Sequence, residues 1–155
     1  IKTNKKNRDF EKMKRIGRWT REAGIETRAG FLVGLPGETP ELAKKTIQTA
    51  IDLDPDYAQF TVCCPYPGTK LANEIHEGKW GKFLTHELKE YNMWSVTWLP
   101  FGYKNAEELK NMERYAFRKF YLRPSYVIRR ILAIRSFEDI KRYIKGGTAL
   151  IKGFL

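Results

Sequence analysis

The sequence predicts an α/β fold in which two parallel strands alternate with helices, followed by a basic, α-helical C-terminal part. Three observations predict it. Apolar residues at helical spacing alternate with two short β-branched and aromatic runs. The stretches joining those runs are too long for hairpins, so the strands are expected to pair in parallel through crossovers. Lys and Arg concentrate after position 103, where 13 stand against 5 Asp and Glu, most of the chain's net charge of +11. The expected organisation is an α/β part over 1–78, an aromatic-rich connection over 79–104 and a basic helical part over 105–155.

The elements follow in order. Phe10, Met13, Ile16 and Ala23 recur near helical spacing with cations between them, predicting an amphipathic helix over 6–23 that Gly24 stops. Residues 25–35 form a nearly unbroken small and apolar run, read as a strand, and Pro36-Gly37 ends it as a turn. Thr39-Pro40 then opens a helix, because Thr39 can accept from free N–H groups and Pro40 has no N–H to waste. Ala43, Ile47, Ala50 and Ile51 make its buried stripe, and Asp54-Pro55-Asp56 closes it. A second strand is expected over 57–63, then a Pro65-Tyr66-Pro67-Gly68 loop and a short helix capped by Thr69. Residues 78–103 carry many aromatics without a clean period and are read as an ordered loop over the sheet edge. Three helices are expected over 105–121, 125–134 and 136–144, with Asn105 and Ser136 as caps.

Composition narrows the class. Hydrophobic residues make up 42% and charged residues 30%, which suits a folded chain, and no run of about 18 apolar residues suggests a membrane span. The first residue is Ile1 and the opening stretch is basic, so the chain is expected to be a piece of a longer protein. Cys63 and Cys64 are adjacent, a spacing that strains a disulfide, and they supply too few ligands for a metal. His76 and His86 do not complete a zinc pattern. Buried thiols and a cytoplasmic setting are the expectation.

The informative stretch is Gly30–Thr39. On an extended strand Gly30, Leu32 and Gly34 share one face. Two glycines on one face imply close approach by something else, either a flat ligand such as adenine or a tightly packed helix. Glu38 follows at the strand's C-terminal end, where parallel α/β folds gather ligand groups. A phosphate loop is a weaker reading, because neither GxGxxG nor the lysine of a Walker motif is present. In the second strand Gln59 and Thr61 share a face, which implies a ligand cavity or specific polar partners.

Gly30–Thr39, the run Asp54-Pro55-Asp56-Tyr57-Ala58-Gln59-Phe60 and the loop Pro65–Thr69 together resemble the radical S-adenosylmethionine superfamily. The likeness points to the branch whose members often carry a cobalamin-binding domain, and Phe120–Tyr126 resembles its C-terminal helices. The resemblance implies the last two strands and helices of a partial (β/α)6 barrel. It further implies that Gly30, Leu32 and Gly34 lie along the adenine of S-adenosylmethionine. Glu38 falls one place late for the acidic position of the motif. Thr61, Val62 and Cys63 would approach the same adenine, and Gln59, Thr61 and Tyr66 would face the substrate cavity.

The family's CxxxCxxC loop, which holds a [4Fe–4S] cluster that reduces S-adenosylmethionine to a radical, has no counterpart here. It is expected upstream of Ile1, as is any cobalamin domain. The chain alone is therefore expected to be inactive and without cofactor. Its expected partners are the missing N-terminal half of the enzyme and a small-molecule or lipid-like substrate.

A rival reading concerns the basic helices. Arg114, Arg118, Arg123, Arg129, Arg130 and Lys141 alternate with Tyr115, Phe120, Tyr126 and Ile131. Either the aromatics pack inward and the cations stay solvated, or the surface binds anionic lipid or nucleic acid. Ala149-Leu150-Ile151 favours a peripheral membrane contact over nucleic acid.

Overall fold

The computed structural model describes residues 10–92, 94–134, 136–138 and 141. Its elements run α1 (Phe10–Glu22), β1 (Arg28–Val33), α2 (Pro40–Leu53), β2 (Tyr57–Val62), α3 (Lys70–His76), β3 (Gly81–Phe83), β4 (Trp98–Pro100), α4 (Ala106–Tyr121) and α5 (Pro124–Leu132). The fold is mixed α/β, with five helices and two small sheets among the described residues.

β1 and β2 pair in parallel, with Gly30 opposite Gln59 and Leu32 opposite Thr61. The crossover between them is α2, as its sequence requires. Thr39 caps the helix by accepting from the Leu42 N–H, and Pro40 takes the first turn. Asp54 ends α2 in the left-handed conformation, with φ of 48°. Ala43, Ile47 and Ala50 form the buried stripe.

β1 is shorter than its apolar run. Gly34 has φ of +73°, which turns the chain out of the strand immediately after Val33. Leu35–Glu38 then forms a turn closed by the Glu38 N–H to the Leu35 carbonyl. Pro36 and Gly37 occupy its centre, and the φ of +72° at Gly37 fits a type II turn.

Among the described residues one face of the strand pair is covered and the other is not. Val33, Ala58, Phe60 and Val62 pack with Ala43, Ile47 and Ala50 of α2 and with Leu109, Ala116, Phe117 and Phe120 of α4. Phe60 sits at the centre, edge-on to both Phe117 and Phe120. The C-terminal basic part thus contributes directly to the sheet's core. Its Arg123, Arg129 and Arg130 are not simply solvated but are paired with Asp54 and Asp56. The first turn of α5 begins at Pro124 with Arg123 as its cap residue. The third helix expected over 136–144 lies largely outside the described residues.

The segment over 78–103 departs from the expected loop. β3 and β4 form an antiparallel pair, Gly81 opposite Pro100 and Phe83 opposite Trp98. The strands are three residues each and lie 14 residues apart, too short and too separated to show a period. This ribbon builds a second core from Cys63, Ile75 and Trp98, with Leu35, Leu71, Trp80 and Phe83 around it. No helix among the described residues is long and apolar enough to cross a membrane.

Candidate functional site

The open face of the parallel pair is the candidate site. β1 alternates exposed and half-buried residues, while β2 alternates half-buried and buried ones. The register brings Gly30, Leu32, Gln59 and Thr61 together on the uncovered side, with Arg28 and Tyr57 at its N-terminal end. A Cβ built on Gly30 would meet nothing within 4 Å. Leu32 keeps 45% of its surface exposed although it sits mid-strand beside a buried core residue. A parallel pair ordinarily has both faces covered, so this open face, with Gly30 and Leu32 beside Gln59 and Thr61, is the candidate contact surface.

The C-terminal end of the pair is organised differently. Gly34 does not extend the flat glycine face. A Cβ there would lie 2.9 Å from Leu109 Cδ1, so α4 already occupies that space. Glu38 is 3% exposed, and its Oε1 accepts from the Gly34 N–H at 2.6 Å and from the Tyr103 hydroxyl at 2.9 Å. Burial pushes the Glu38 carboxyl above its usual range, against the three hydrogen bonds that pull it down. Burial and the neighbouring Glu38 likewise hold the Tyr103 phenol far above its ordinary value. The carboxylate therefore locks the turn after β1 to the start of the C-terminal helices. Gly102 completes the lock, because a Cβ there would strike the Glu38 carbonyl at 2.0 Å.

Val62 and Cys63 are also inside. Val62 belongs to the core under α4, on the face opposite Thr61. The Cys63 thiol is 7% exposed, and burial pushes its pKa up to about 11. The Cys63 carbonyl accepts from the indole N–H of the fully buried Trp98 at 2.8 Å. Beyond them Tyr66 is half exposed at the rim, its ring 6.2 Å from that of Tyr91. Of the residues expected to meet ligand, Gly30, Leu32, Gln59 and Thr61 share one surface. Gly34, Glu38, Val62 and Cys63 form the wall behind and beside it.

Sequence reasoning missed Tyr103, Tyr121 and the bond from the Trp98 indole to Cys63. Tyr103 lies 65 positions from Glu38 and Trp98 lies 35 from Cys63, so no local pattern connects them. Among the described residues no three His, Cys, Asp or Glu side chains gather as a metal site.

No protein-family model matches the chain. Individual relatives do match. The chain is 35% identical over 128 residues to a protein of Pyrococcus horikoshii named as an uncharacterized methyltransferase, covering 79% of the chain. It is 31% identical over 106 residues to the anaerobic magnesium-protoporphyrin IX monomethyl ester cyclase of Cereibacter sphaeroides, covering 68% of the chain. The protein of the same name from Rubrivivax gelatinosus is 28% identical over 123 residues. These relatives support a radical S-adenosylmethionine-related family. The chain spans 26%, 16% and 21% of their respective lengths. Each match extends over most of this chain, so the likeness is not confined to the Gly30–Thr39 stretch.

Proposed function

We propose that this chain is the C-terminal portion of a radical S-adenosylmethionine enzyme, in which β1 and β2 are the last strands of a partial barrel. The open face of the pair is the barrel interior in this reading. The observation that carries it is the empty space over Gly30, flanked by Leu32, Gln59 and Thr61, while the opposite face is sealed by α2 and α4. In a βα barrel, helices cover the outside and the strands' other face turns inward, and one helix-covered face beside one open face supports that reading.

Within that reading Gly30 and Leu32 form the flat wall for the adenine. Gln59 and Thr61 supply polar groups on the adjacent strand, toward the reaction cavity. Gly34, Glu38 and Tyr103 fix the turn at the mouth and keep β1 in register with the helices, so they position the wall rather than touch ligand. S-adenosylmethionine held there, with a [4Fe–4S] cluster to reduce it, would supply a carbon-centred radical. The residues of this chain orient the nucleoside and exclude water from it. Methyl transfer and ring closure are both compatible with the names of the relatives, and the fold does not choose between them.

The test is anaerobic reconstitution of the full-length protein, followed by an assay for 5′-deoxyadenosine. Gly30→Val should abolish product while leaving the thermal unfolding midpoint within a few degrees, because its side chain enters open space. Full activity in that variant would remove Gly30 from the nucleoside wall.

A further inference from the structure

At the opposite end of the strands, below the N-terminus of β2, three arginines converge on one carboxylate. Arg123 Nη2 pairs with Asp54 Oδ1, and Arg129 Nη1 pairs with Asp54 Oδ2. Arg21, reaching across from α1, lies 3.3 Å from Oδ2 and donates to the Asp54 carbonyl at 2.6 Å. Arg130 does not belong to this group, since it pairs with Asp56 and with Glu26. Asp54 is held there by the left-handed turn that ends α2.

One carboxylate cannot satisfy three guanidinium groups. Its two oxygens are taken, so among the described residues three cations stand against one carboxylate, with the Phe120 and Tyr126 rings beneath Arg123 as its other contact. Arg123 Nη1, Arg129 Nε and Arg129 Nη2 are buried and have no hydrogen-bond partner among the described residues. The Arg123 side chain is only 11% exposed. Burial pushes its pKa down, Asp54 opposes that, and Arg129 and Arg21 add to the depression. Buried charged donors without acceptors are costly, and a fork of N–H groups from several arginines is the geometry that oxyanions fill.

We propose that Arg21, Arg123 and Arg129 around Asp54 form a binding site for a phosphate group. A phosphate dianion matches the two spare charges and meets the solvent-facing edges of Arg21 and Arg129, whose side chains are 46% and 28% exposed. The site is separate from the candidate nucleoside wall. Asp54 lies beyond the N-terminal end of β2 and Glu38 beyond the C-terminal end of β1, and six-residue strands separate the two ends by roughly 20 Å. The phosphate is free or carried on a lipid headgroup. α5, which begins beside Arg123, leaves Ile128, Ile131 and Leu132 exposed next to the site.

The full-length protein is titrated with inorganic phosphate by calorimetry at constant ionic strength, and in a parallel arm with vesicles containing phosphatidic acid against pure phosphatidylcholine. Saturable binding in either arm, weakened at least tenfold by Arg129→Gln, supports the site. The arm that saturates identifies the source of the phosphate. Because Arg129→Gln also removes a partner of Asp54, phenylglyoxal modification of the wild type gives a second readout that does not depend on that variant folding. Phosphate or the vesicles should slow modification of Arg21 severalfold and leave that of the exposed Arg118 unchanged. No saturable binding in either arm, binding unchanged in a folded Arg129→Gln variant, or no protection of Arg21 would overturn the proposal and leave the arginines as a clamp on Asp54.

Discussion

The Tyr121 hydroxyl caps the outer edge of β2 at Ala58 by serving both of its backbone groups, accepting from its N–H at 3.0 Å and donating to its carbonyl at 2.7 Å. In a parallel ladder alternate residues send their backbone groups to opposite sides, and those of Ala58 point away from β1. An unpaired strand edge is both a loss of hydrogen bonding and a template for other chains. Tyr121 blunts that edge from the last turn of α4, which thereby covers the sheet's face and its border together. Burial pushes the phenol up to about 12, so it remains a donor throughout the physiological range.

Tyr121→Phe removes both bonds without changing the ring's packing against Phe117, Phe120 and Tyr126. Leaving two partly buried backbone groups unpaired should lower the unfolding free energy by roughly 2 kcal/mol. Urea denaturation of the two proteins measures it. A change below about 0.5 kcal/mol would mean that water replaces the hydroxyl at no cost.

The two glycines of the β1 stretch should respond in opposite ways. Gly34→Ala places a Cβ 2.9 Å from Leu109 Cδ1 on a backbone with φ of +73°. The left-handed conformation alone costs an ordinary residue about 1–2 kcal/mol, so the loss should exceed that. Gly30→Ala enters open space on an extended backbone and should be neutral, or stabilising by up to about 1 kcal/mol. Thermal unfolding of both variants compares them directly. Equal losses would show that Gly30 is as confined as Gly34.

Those glycines also mark where sequence reading reached and where it stopped. The α2 crossover was legible because Thr39-Pro40 and Asp54-Pro55 are local signals at its two ends. Parallel pairing followed from the length of that crossover. Gly34 read as a third member of a flat face because period-two alternation assumes that the strand continues, and a positive φ is invisible in the residue name. The Glu38–Tyr103 and Ala58–Tyr121 bonds span 65 and 63 positions and leave no local trace. The arginines of α5 read as solvated or ligand-facing, because the carboxylates they meet lie some 70 residues earlier.

Cys63 and Cys64 should differ sharply in reactivity although they are neighbours. The Cys63 thiol is buried and its pKa is pushed up to about 11, with burial the first cause and Cys64 and Glu38 lesser ones. At pH 8 roughly one molecule in a thousand would carry that thiolate. Cys64 is half-buried, with its sulfur 3.6 Å from the Thr97 hydroxyl. Iodoacetamide labelling followed by peptide mass spectrometry should therefore modify Cys64 at least tenfold faster. Comparable rates would show that the Trp98 ribbon opens readily over Cys63.

The contribution of Glu113 to stability should fall as pH rises above about 4.5. Its side chain is fully buried on the inner side of α4. The Lys110 ammonium approaches Oε2 at 2.5 Å, but neither carboxyl oxygen is in a well-directed hydrogen bond. Burial raises the Glu113 pKa, with Lys110 and Arg114 only partly offsetting it, and burial raises that of Glu38 as well. A group whose folded pKa lies above its unfolded value binds its proton more tightly in the native state. The stabilisation is complete below the unfolded value of 4.5 and is lost as pH climbs through the raised folded values. Glu113→Gln cannot titrate, so relative to the wild type it should gain stability between pH 4.5 and 8, and the difference should level off once Glu113 is ionised. Urea midpoints measured across that range decide it. A wild-type-to-variant difference that does not change with pH would show that Lys110 keeps Glu113 ionised throughout, making the pair a buried ion pair and not a protonated acid beside a cation.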